Sequence, residues 1–243
     1  MKHKTSIHSV AIIVPMHNED NSAERCVQTI MNELPHISYP SKLFVIDDGS
    51  TDQTSPIIKK LQLMYSRKFH VVQHKKNLGY GAAVKTGIRT ATQQGFEYGI
   101  IMDSDLTNNP KFIHAFVRHI PDGYDLIKAS RYIKDSKIIG IPYHRVIISK
   151  FGNFIASRLF HIGIQDCTNG FRMIRLSRCK NFPYHETGFA SILEELYYLK
   201  KTHSTCIEIP TILTARTNSP THFRYTMGTF WNYLKYALYA TQL

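Results

Sequence analysis

The sequence predicts an α/β fold with a mainly parallel sheet flanked by helices. Short apolar runs typical of buried strands alternate with longer segments in which apolar residues recur at helical spacing. Strands that alternate with helices form parallel sheets through right-handed crossovers. Acidic residues also follow three of the first four apolar runs. This supports the fold, because ligands of parallel sheets bind beyond the carboxyl ends of the strands.

The first half of the chain has the more regular alternation. Apolar runs predict strands at residues 10–14, 43–46, 69–72 and 98–102. Apolar residues at helical spacing predict helices at residues 23–34, 57–64, 79–94 and 112–120. Pro35 ends the first helix, and Ser50 or Asp52 is the expected cap of the second. These elements place the acidic loops at one edge of the sheet.

The second half alternates less regularly. Its predicted elements are a strand at residues 125–129, a long amphipathic helix at 143–160, a polar turn at 166–172, a helix at 191–201 and a last strand at 206–209. No linker or repeat divides the chain, so we predict one domain at residues 1–215 and an extension at 216–243. The extension lacks acids and carries Trp231 among other aromatic residues. This is typical either of a packing helix or of an amphipathic helix at a membrane interface.

The excess of basic residues indicates which kinds of partner the protein can bind. There are 30 Lys and Arg residues against 18 Asp and Glu, a formal charge of +12, which suits nucleic acid, anionic lipid headgroups or phosphorylated substrates. Nucleic acid is the poorest of these, because the basic residues form no Lys/Arg run and match no nucleic-acid-binding motif. The sequence therefore predicts an anionic lipid or phosphorylated partner.

The cysteines and the apolar runs indicate the compartment. Cys26, Cys167, Cys179 and Cys206 form no C-x-x-C pair, which predicts neither a zinc site nor a disulfide framework. No apolar run reaches the ~18 residues of a membrane-spanning helix, and the N-terminus lacks the apolar core of a signal peptide. Reduced thiols in a cytoplasmic protein are the expectation.

The stretch Asp103-Ser104-Asp105 follows the fourth predicted strand. If the backbone stays extended, Ser104 points away and the two carboxylates share one side of the strand end. Two carboxylates this close repel each other, and they stay ionised most easily beside a divalent cation. The acids after the first two strands converge on the same edge. The sequence therefore predicts a Mg²⁺ or Mn²⁺ site that faces a phosphorylated substrate.

The glycines of the segment 77–83 do not form a dinucleotide-binding fingerprint. The pattern G-x-G-x-x-G would require glycine at Val84, and this loop follows the third strand, not the first. The expected role is a close backbone approach at the start of a helix, with free N–H groups that face the site.

Seven short motifs occur in order between residues 14 and 172. They are VPMHNE from residue 14, IDDGSTD from 46, NLGYGAA from 77, MDSDL from 102, ASRY from 129, HR from 144 with Ser149, and TNGFR from 168. With these motifs the sequence resembles the family 2 inverting glycosyltransferases of the GT-A fold, a Rossmann-like nucleotide-diphospho-sugar transferase architecture. Within that family it is most similar to the dolichyl- or polyprenyl-phosphate mannosyltransferases, over residues 10–216.

The resemblance implies a metal-dependent enzyme. It would move a hexose, mannose in preference to glucose, from a nucleotide sugar (GDP-mannose or UDP-glucose) to a polyprenyl or dolichyl phosphate. It would act peripherally on the cytoplasmic face of a membrane. The residues that the resemblance assigns to the donor nucleotide and its diphosphate are Pro15, His17, Glu19, Ile46, Asp48, Asp103, Ser104, Asp105, Arg131, Arg216 and His222.

The resemblance also implies a metal site and an acceptor site. The metal ligands would be Asp103, Asp105 and Thr107, and the acceptor-binding residues Arg145 and Ser149. The catalytic residues would be Asp105, Arg131 and Arg145. A lipid phosphate is already an anionic nucleophile, so no general base is required. Guanidinium groups match phosphate oxygens and offset the repulsion between two anions.

Three positions differ from the family pattern. His17 stands in place of Tyr, Thr107 in place of Gln, and His222 in place of Lys. His17 still permits stacking or a hydrogen bond to the base. Thr107 can ligate a metal through its hydroxyl or leave that place to water. The charge of His222 depends on pH.

Two other functions stay open on the sequence alone. One is transfer to a saccharide hydroxyl, with Glu194 or Glu195 as the general base. The other is a degenerate member that binds a nucleotide sugar or an anionic membrane without turnover, which the altered closing loop at His222 motivates. In the preferred interpretation the two glutamates are solvated helix charge or support an acceptor loop. Asp166 and Arg172 then pair to hold the polar turn.

Overall fold

The structure, a computed structural model, describes residues 8–216 and 227–243, and of residues 227–230 it describes only the backbone. The strands are β1 (Val10–Met16), β2 (Ser41–Asp47), β3 (Phe69–Gln73), β4 (Tyr98–Ile101), β5 (Leu126–Ser130), β6 (Lys137–Ile139), β7 (Arg172–Arg175), β8 (Cys206–Pro210) and β9 (Ile212–Thr214). The helices are α1 (Ala23–Glu33), α2 (Thr54–Met64), α3 (Tyr80–Gln93), α4 (Ile113–Val117), α5 (Tyr143–Phe160), α6 (Leu176–Cys179), α7 (Ser191–Lys201) and α8 (Met227–Ala240).

The main sheet has the strand order β3-β2-β1-β4-β7-β5-β8. Its pairs are parallel except those of β7, which runs antiparallel to both β4 and β5. A second, two-stranded sheet pairs β6 with β9 in parallel. The structure confirms the predicted α/β class with a mainly parallel sheet.

Three strands escaped the sequence prediction. β7 begins at Arg172 inside what the sequence presents as a polar turn, and its charged ends hide the apolar run. β6 and β9 have three residues each, with no buried residue in either, so they carry no periodic apolar signal. The strand predicted at residues 206–209 is β8 but is not the last, because β9 follows it.

The helix predicted at residues 112–120 is wrong in its length. The structure has a 3₁₀ turn at residues 110–112, the short helix α4, and a second 3₁₀ turn at 120–122. Pro110 begins the first turn and Pro121 lies in the second. Proline starts a helix easily but interrupts its interior, which explains the broken element.

Helices cover both faces of the sheet. Alternate residues of β1 point to opposite faces, with Ile12 in one apolar cluster and Ile13 in the other. The first cluster includes α1, α2 and α4, and the second includes α3, α5, α7 and α8. A Cβ at Gly87 in α3 would lie 2.3 Å from the Ile13 side chain, so this glycine lets α3 approach the sheet. Both faces are thus closed, and the carboxyl edge is left for ligands.

The C-terminal helix α8 packs on the second apolar cluster. Tyr236, Ala237 and Ala240 are buried there, while Trp231 and Leu238 are exposed on the other side. Within residues 8–216 and 227–243, no helix combines the length and the apolarity needed to cross a membrane. The domain division at residues 215 and 216 stays a prediction.

Candidate active site

A cleft of about 920 Å³ opens at the carboxyl edge of the sheet. Its polar lining includes Asp103, Asp105, Arg131, Arg145 and Arg216. Apolar side chains from α5, α7 and α8 line the rest of it, among them Ile148, Phe151, Ile155, Leu193, Leu234 and Ala237. One cavity therefore joins the two carboxylates to an apolar wall.

The two carboxylates follow β4 directly. The chain turns at Ser104 and Asp105, and Leu106 has a φ of 58°, so the extended backbone expected here is wrong. Burial, together with the nearby charges of Asp105 and Glu19, raises the pKa of Asp103 to about 7, against the opposing effect of Arg172. The carboxylates come close through a turn and repel each other as predicted.

Thr107 holds the second carboxylate in place. Its backbone N–H donates to Asp105 Oδ1 at 3.0 Å and its hydroxyl donates to the same oxygen at 2.8 Å. Thr107 thus orients the Asp105 carboxylate through Oδ1 and does not contact Asp105 Oδ2. Direct ligation of a metal by Thr107 stays a prediction.

The oxygen-rich edge fits Mg²⁺ or Mn²⁺ that arrives with a nucleotide. Among the residues that the structure describes, no three His, Cys, Asp or Glu side chains form a metal-binding group. Mg²⁺ is commonly bound through one or two carboxylates, with substrate phosphates and water completing the shell. Asp103 and Asp105 match that pattern, and a cation there would relieve the repulsion that raises the Asp103 pKa.

Glu19 and Arg216 meet beside these carboxylates. Glu19 follows β1 and is buried, and both of its carboxylate oxygens accept from Arg216 Nη2, which follows β9. The Ser22 hydroxyl donates to Glu19 Oε2 at 2.7 Å, and the Glu19 N–H donates to the Thr54 hydroxyl at 2.7 Å. The structure thus brings together two residues predicted to bind the donor, far apart in sequence. His222 lies outside the described residues.

Asp48 holds the loop that contains the glycines. Its carboxylate accepts from the N–H groups of Leu78 at 2.9 Å and Gly79 at 2.7 Å, and lies 2.7 Å from the His74 ring. The N–H of Gly81 donates to the carbonyl of Thr187 at 2.6 Å. The N–H groups of Leu78, Gly79 and Gly81 are therefore not free, contrary to the expectation, because the protein itself satisfies them.

The remaining predicted nucleotide residues lie at the ends of β1 and β2. Pro15 and Ile46 are register partners on the two strands, and the Ile46 side chain is fully buried against α3. A His17 ring nitrogen lies 2.9 Å from the Asp48 carbonyl. A smaller cleft of about 430 Å³ is lined by His17 together with Asn18, Gly49, Ser50, His74 and Lys75, among others. The loops after β1, β2 and β3 thus form a recess of nucleoside size.

Arg131 is paired with Asp166. Its Nε donates to Asp166 Oδ2 at 2.6 Å and its Nη2 to Oδ1 at 2.7 Å, while Nη2 also donates to the Thr168 hydroxyl at 2.9 Å. Burial by itself raises the pKa of Asp166, and the Arg131 guanidinium more than offsets this and holds it below its ordinary value. The predicted pairing of Asp166 with Arg172 is wrong.

A polar network places the predicted acceptor residue Ser149. The Tyr132 hydroxyl donates to Ser149 Oγ at 2.7 Å. The Asn153 amide donates to the Ser149 carbonyl at 2.8 Å and to the Thr168 hydroxyl at 2.9 Å. Arg145 lines the same cleft one helical turn before Ser149. The two acceptor residues therefore share one wall of the cleft with Arg131.

Glu194 and Glu195 are fully buried, so the prediction of solvated helix charge is wrong. Glu195 accepts from Arg172 Nε at 2.5 Å and from Nη2 at 3.0 Å. Glu194 accepts from the N–H groups of His185 at 2.7 Å and Glu186 at 2.9 Å. Glu194 thus holds the backbone at residues 185 and 186, and its support of an acceptor loop stays a prediction.

We expect Glu195→Ala to lower the free energy of unfolding by about 3–5 kcal/mol, because it leaves the buried Arg172 guanidinium without its carboxylate. Urea unfolding followed by circular dichroism measures this. Glu24→Ala, which removes an exposed glutamate from α1, is the control and should change the value by no more than about 0.5 kcal/mol. Equal effects of the two variants would contradict a structural ion pair.

Sequence reasoning missed Tyr80 as a residue of the site. Its ring stacks on Phe189 at 4.7 Å between centroids, and it lines the main cleft with Asp103. A Cβ at Gly170 would lie 3.0 Å from the Tyr80 hydroxyl and 3.4 Å from the Asp103 carboxylate oxygens. Its place between the two glycines of the NLGYGAA motif was a signal in the sequence, but only the glycines were interpreted.

A model of Glycosyl transferase family 2 matches residues 11–181 of the chain. The chain belongs to glycosyl transferase family 2. The family predicted from the seven motifs is thereby confirmed.

Two curated relatives of this family 2 chain cover most of its length. It is 30% identical over 204 residues to dolichol-phosphate mannosyltransferase of Pyrococcus furiosus. The matched region covers 83% of this chain and 55% of that protein. This chain thus spans about half the length of that relative. The chain is 25% identical over 208 residues to polyprenol monophosphomannose synthase of Mycolicibacterium smegmatis. That matched region covers 84% of this chain and 77% of that protein.

Solved structures share the fold of this family 2 chain. Glucosyl-3-phosphoglycerate synthase from Mycobacterium tuberculosis, with Mn²⁺, UDP and glucosyl-3-phosphoglycerate, has a TM-score of 0.64 at 18% identity over 88% of this chain and 73% of that chain. The same enzyme with UDP has a TM-score of 0.66 at 16% identity over 97% and 81% of the two chains. These likenesses confirm the predicted GT-A fold class.

Proposed function

We propose that this chain transfers a hexose from a nucleotide sugar to a polyprenyl-type phosphate, with inversion at the anomeric carbon. The observation that carries the proposal is one cleft whose lining contains Asp103 and Asp105, Arg145 and a set of apolar side chains. Such a cavity accommodates a diphosphate at one end and the first part of a lipid at the other.

The proposed donor is GDP-mannose, with UDP-glucose the next candidate. The names of the two curated relatives support mannose and a polyprenyl-type acceptor. UDP and UDP-glucose occur in the solved neighbours, which supports the second candidate. The recess at His17, Gly49 and His74 is the proposed place of the nucleoside.

Asp103 and Asp105 are the proposed ligands of Mg²⁺ or Mn²⁺. The bound ion would neutralise charge that develops on the departing diphosphate. The two hydrogen bonds from Thr107 fix the orientation of the Asp105 carboxylate as a proposed metal ligand. Arg216, held by Glu19, places a cation beside it. Asp166 holds the Arg131 guanidinium in one orientation, so this positive charge needs little reorganisation during the reaction.

The acceptor needs no general base in this proposal. A phosphate oxygen of the lipid attacks the anomeric carbon, the bond from that carbon to the diphosphate breaks, and the electron pair leaves with the nucleoside diphosphate. Arg145 and Ser149 bind and orient the attacking phosphate. The buried contacts of Glu194 and Glu195 argue against the saccharide-hydroxyl alternative, which requires one of them as a base.

A transfer assay tests the proposal. The full chain is incubated with Mn²⁺, a short-chain polyprenyl phosphate and radiolabelled GDP-mannose or UDP-glucose, and the lipid fraction is counted. Label in the lipid with one donor supports the proposal and names the sugar. Nucleotide binding without label in the lipid would support the degenerate alternative and overturn the proposal.

We expect the affinity for Mn²⁺ in the presence of GDP to rise with pH and to level off above about 7. The pKa of Asp103 is raised to about 7, so below that pH the metal must displace a proton from the carboxyl. Calorimetric titrations between about pH 6 and about pH 8 measure the slope, which approaches tenfold per pH unit on the acidic side. Asp103→Asn should weaken Mn²⁺ binding, because it removes a proposed ligand, and should flatten the pH dependence of the binding that remains. An unchanged slope in that variant would assign the proton to another group.

A further inference from the structure

The Tyr80 hydroxyl is a buried polar group that faces the main cleft. Tyr80 is the first residue of α3, and it lines the cleft together with Asp103 and Gly170. In the described part of the chain the buried hydroxyl oxygen has no hydrogen-bond partner. The guanidinium of Arg172 donates instead to Glu195 and to the Gly170 carbonyl. A buried hydroxyl has lost its hydrogen bonds to water, so a ligand oxygen that accepts from it gains affinity.

The Tyr80 ring is held in one orientation. It stacks on Phe189 with the ring centroids 4.7 Å apart and the ring planes at 24° to each other. The backbone at the start of α3 is fixed as well, because the Gly81 N–H donates to the Thr187 carbonyl at 2.6 Å. A hydroxyl on a ring held in this way binds a ligand with little loss of side-chain entropy.

The hydroxyl is a hydrogen-bond donor at neutral pH. Burial, together with the negative charge of Asp103, raises the pKa of Tyr80, and the opposing effect of Arg172 does not cancel this rise. A protonated phenol donates one hydrogen bond. The ligand group that it meets must therefore offer an oxygen that accepts.

The space in front of the hydroxyl is shared with Asp103. A Cβ at Gly170 would lie 3.0 Å from the Tyr80 hydroxyl oxygen and 3.4 Å from both carboxylate oxygens of Asp103. Because glycine leaves this space open, one ligand oxygen above the Gly170 backbone can approach both groups. That oxygen must accept from Tyr80 and donate to Asp103. A sugar hydroxyl does both, whereas a phosphate oxygen only accepts and is repelled by the carboxylate.

We propose that the Tyr80 hydroxyl donates to a hydroxyl of the hexose and so helps to select the sugar of the nucleotide. This role rests on the proposed function, in which Asp103 and Asp105 hold the metal and the diphosphate next to the hexose. The stacked rings of Tyr80 and Phe189 add an apolar wall for the carbon skeleton of the sugar. Tyr80 is then a specificity-determining residue and takes no part in the making or breaking of bonds.

Calorimetric titration without a lipid phosphate tests this contact. GDP and GDP-mannose, and likewise UDP and UDP-glucose, are titrated with Mn²⁺ into the wild type and into Tyr80→Phe, which keeps the stacked ring. We expect the variant to bind the nucleoside diphosphate as the wild type does and the nucleotide sugar at least about fivefold more weakly, because a sugar hydroxyl loses its partner. Equal weakening of both ligands would assign the hydroxyl to the diphosphate or the metal and overturn the proposal. Unchanged binding of both would overturn it too.

The matched control is Tyr184→Phe. The Tyr184 hydroxyl is also buried without a hydrogen bond among the described residues, but Tyr184 is not among the described residues that line the main cleft. We expect this variant to bind every ligand as the wild type does, and an equal loss of nucleotide-sugar affinity in the two variants would contradict a specific contact. Urea unfolding without ligand should give Tyr80→Phe a midpoint equal to or above that of the wild type. A lower midpoint would mean that the hydroxyl has a partner within the protein.

Gly170→Ala tests the same space from the opposite side. Its methyl group would lie between the Tyr80 hydroxyl and the Asp103 carboxylate, and Gly170 is not among the glycines with positive φ. We expect weaker binding of the nucleotide sugar with the affinity for the nucleoside diphosphate retained. Unchanged binding of the nucleotide sugar would mean that the hexose does not enter this space.

Deoxy sugars identify the hydroxyl that Tyr80 contacts. The wild type and Tyr80→Phe are titrated with nucleotide sugars that lack the hydroxyl at carbon 2, 3, 4 or 6. The analogue without the contacted hydroxyl should bind equally to both proteins, while the others keep the difference. A difference that persists with every analogue would overturn the contact. A wild type that binds no nucleotide would overturn the proposed function as well, whereas normal binding without an effect of Tyr80→Phe overturns the role of Tyr80 alone.

Discussion

We expect Asp105→Asn to abolish metal-dependent binding of GDP and to lower hexose transfer by at least about a thousandfold. The substitution keeps the size of the side chain and an oxygen that accepts from the N–H and hydroxyl of Thr107, so the local turn is retained. What it removes is one of two anionic oxygen ligands. Loss of a group that stabilises charge on a leaving diphosphate costs about 10²–10³ in rate, and loss of the metal adds to this.

The measurement is a calorimetric titration of GDP and UDP with and without Mn²⁺, on the wild type and on Asp105→Asn. Tightening of one nucleotide by Mn²⁺, lost in the variant, supports the site and names the donor class. Asp122→Asn, an exposed acid in a 3₁₀ turn, is the control and should bind as the wild type does. The variant should fold at least as stably, because it relieves the repulsion that raises the Asp103 pKa. If metal-dependent binding survives in Asp105→Asn, the carboxylate pair has a structural role and does not bind the metal.

Arg145→Ala should lower transfer to polyprenyl phosphate by about a thousandfold while leaving nucleotide binding unchanged. Arg145 lines the same cleft as the two carboxylates, where the attacking phosphate must come close to a diphosphate. A guanidinium that pairs with phosphate in a water-poor site is worth several kcal/mol of transition-state stabilisation. Arg145→Lys should recover only part of the activity, since an ammonium cannot form the two parallel hydrogen bonds of a guanidinium.

The comparison variant is Arg118→Ala, which removes an exposed arginine at the end of α4 with the same change in net charge. KM for the lipid phosphate and kcat are measured separately for each variant, and GDP affinity is measured by calorimetry. A mild effect of Arg145→Ala together with a severe effect, on a saccharide acceptor, of a Glu195→Gln variant that remains folded by circular dichroism would favour the hydroxyl-acceptor alternative. A loss of GDP affinity in Arg145→Ala would move this residue to the donor site.

The sequence predicted well the elements that have a strong periodic pattern along the chain. The helices α5 and α7 were predicted at their observed bounds, because helical periodicity is a local signal. The pair Asp103 and Asp105 was expected at the edge of the sheet, because strand ends and the loops after them are also local. The motifs in turn identified the family, which the family model confirms.

Only the tertiary structure decided which charged groups meet. Arg131 pairs with Asp166, Arg172 with Glu195, and Arg216 with Glu19, and no periodicity relates such distant residues. The antiparallel insertion of β7 between β4 and β5 carries Arg172 into the interior, where burial makes a carboxylate partner obligatory. The same packing decides which face of α5 stays uncovered. A periodic pattern shows that a helix has an apolar side, but whether the protein covers that side depends on where every other element folds.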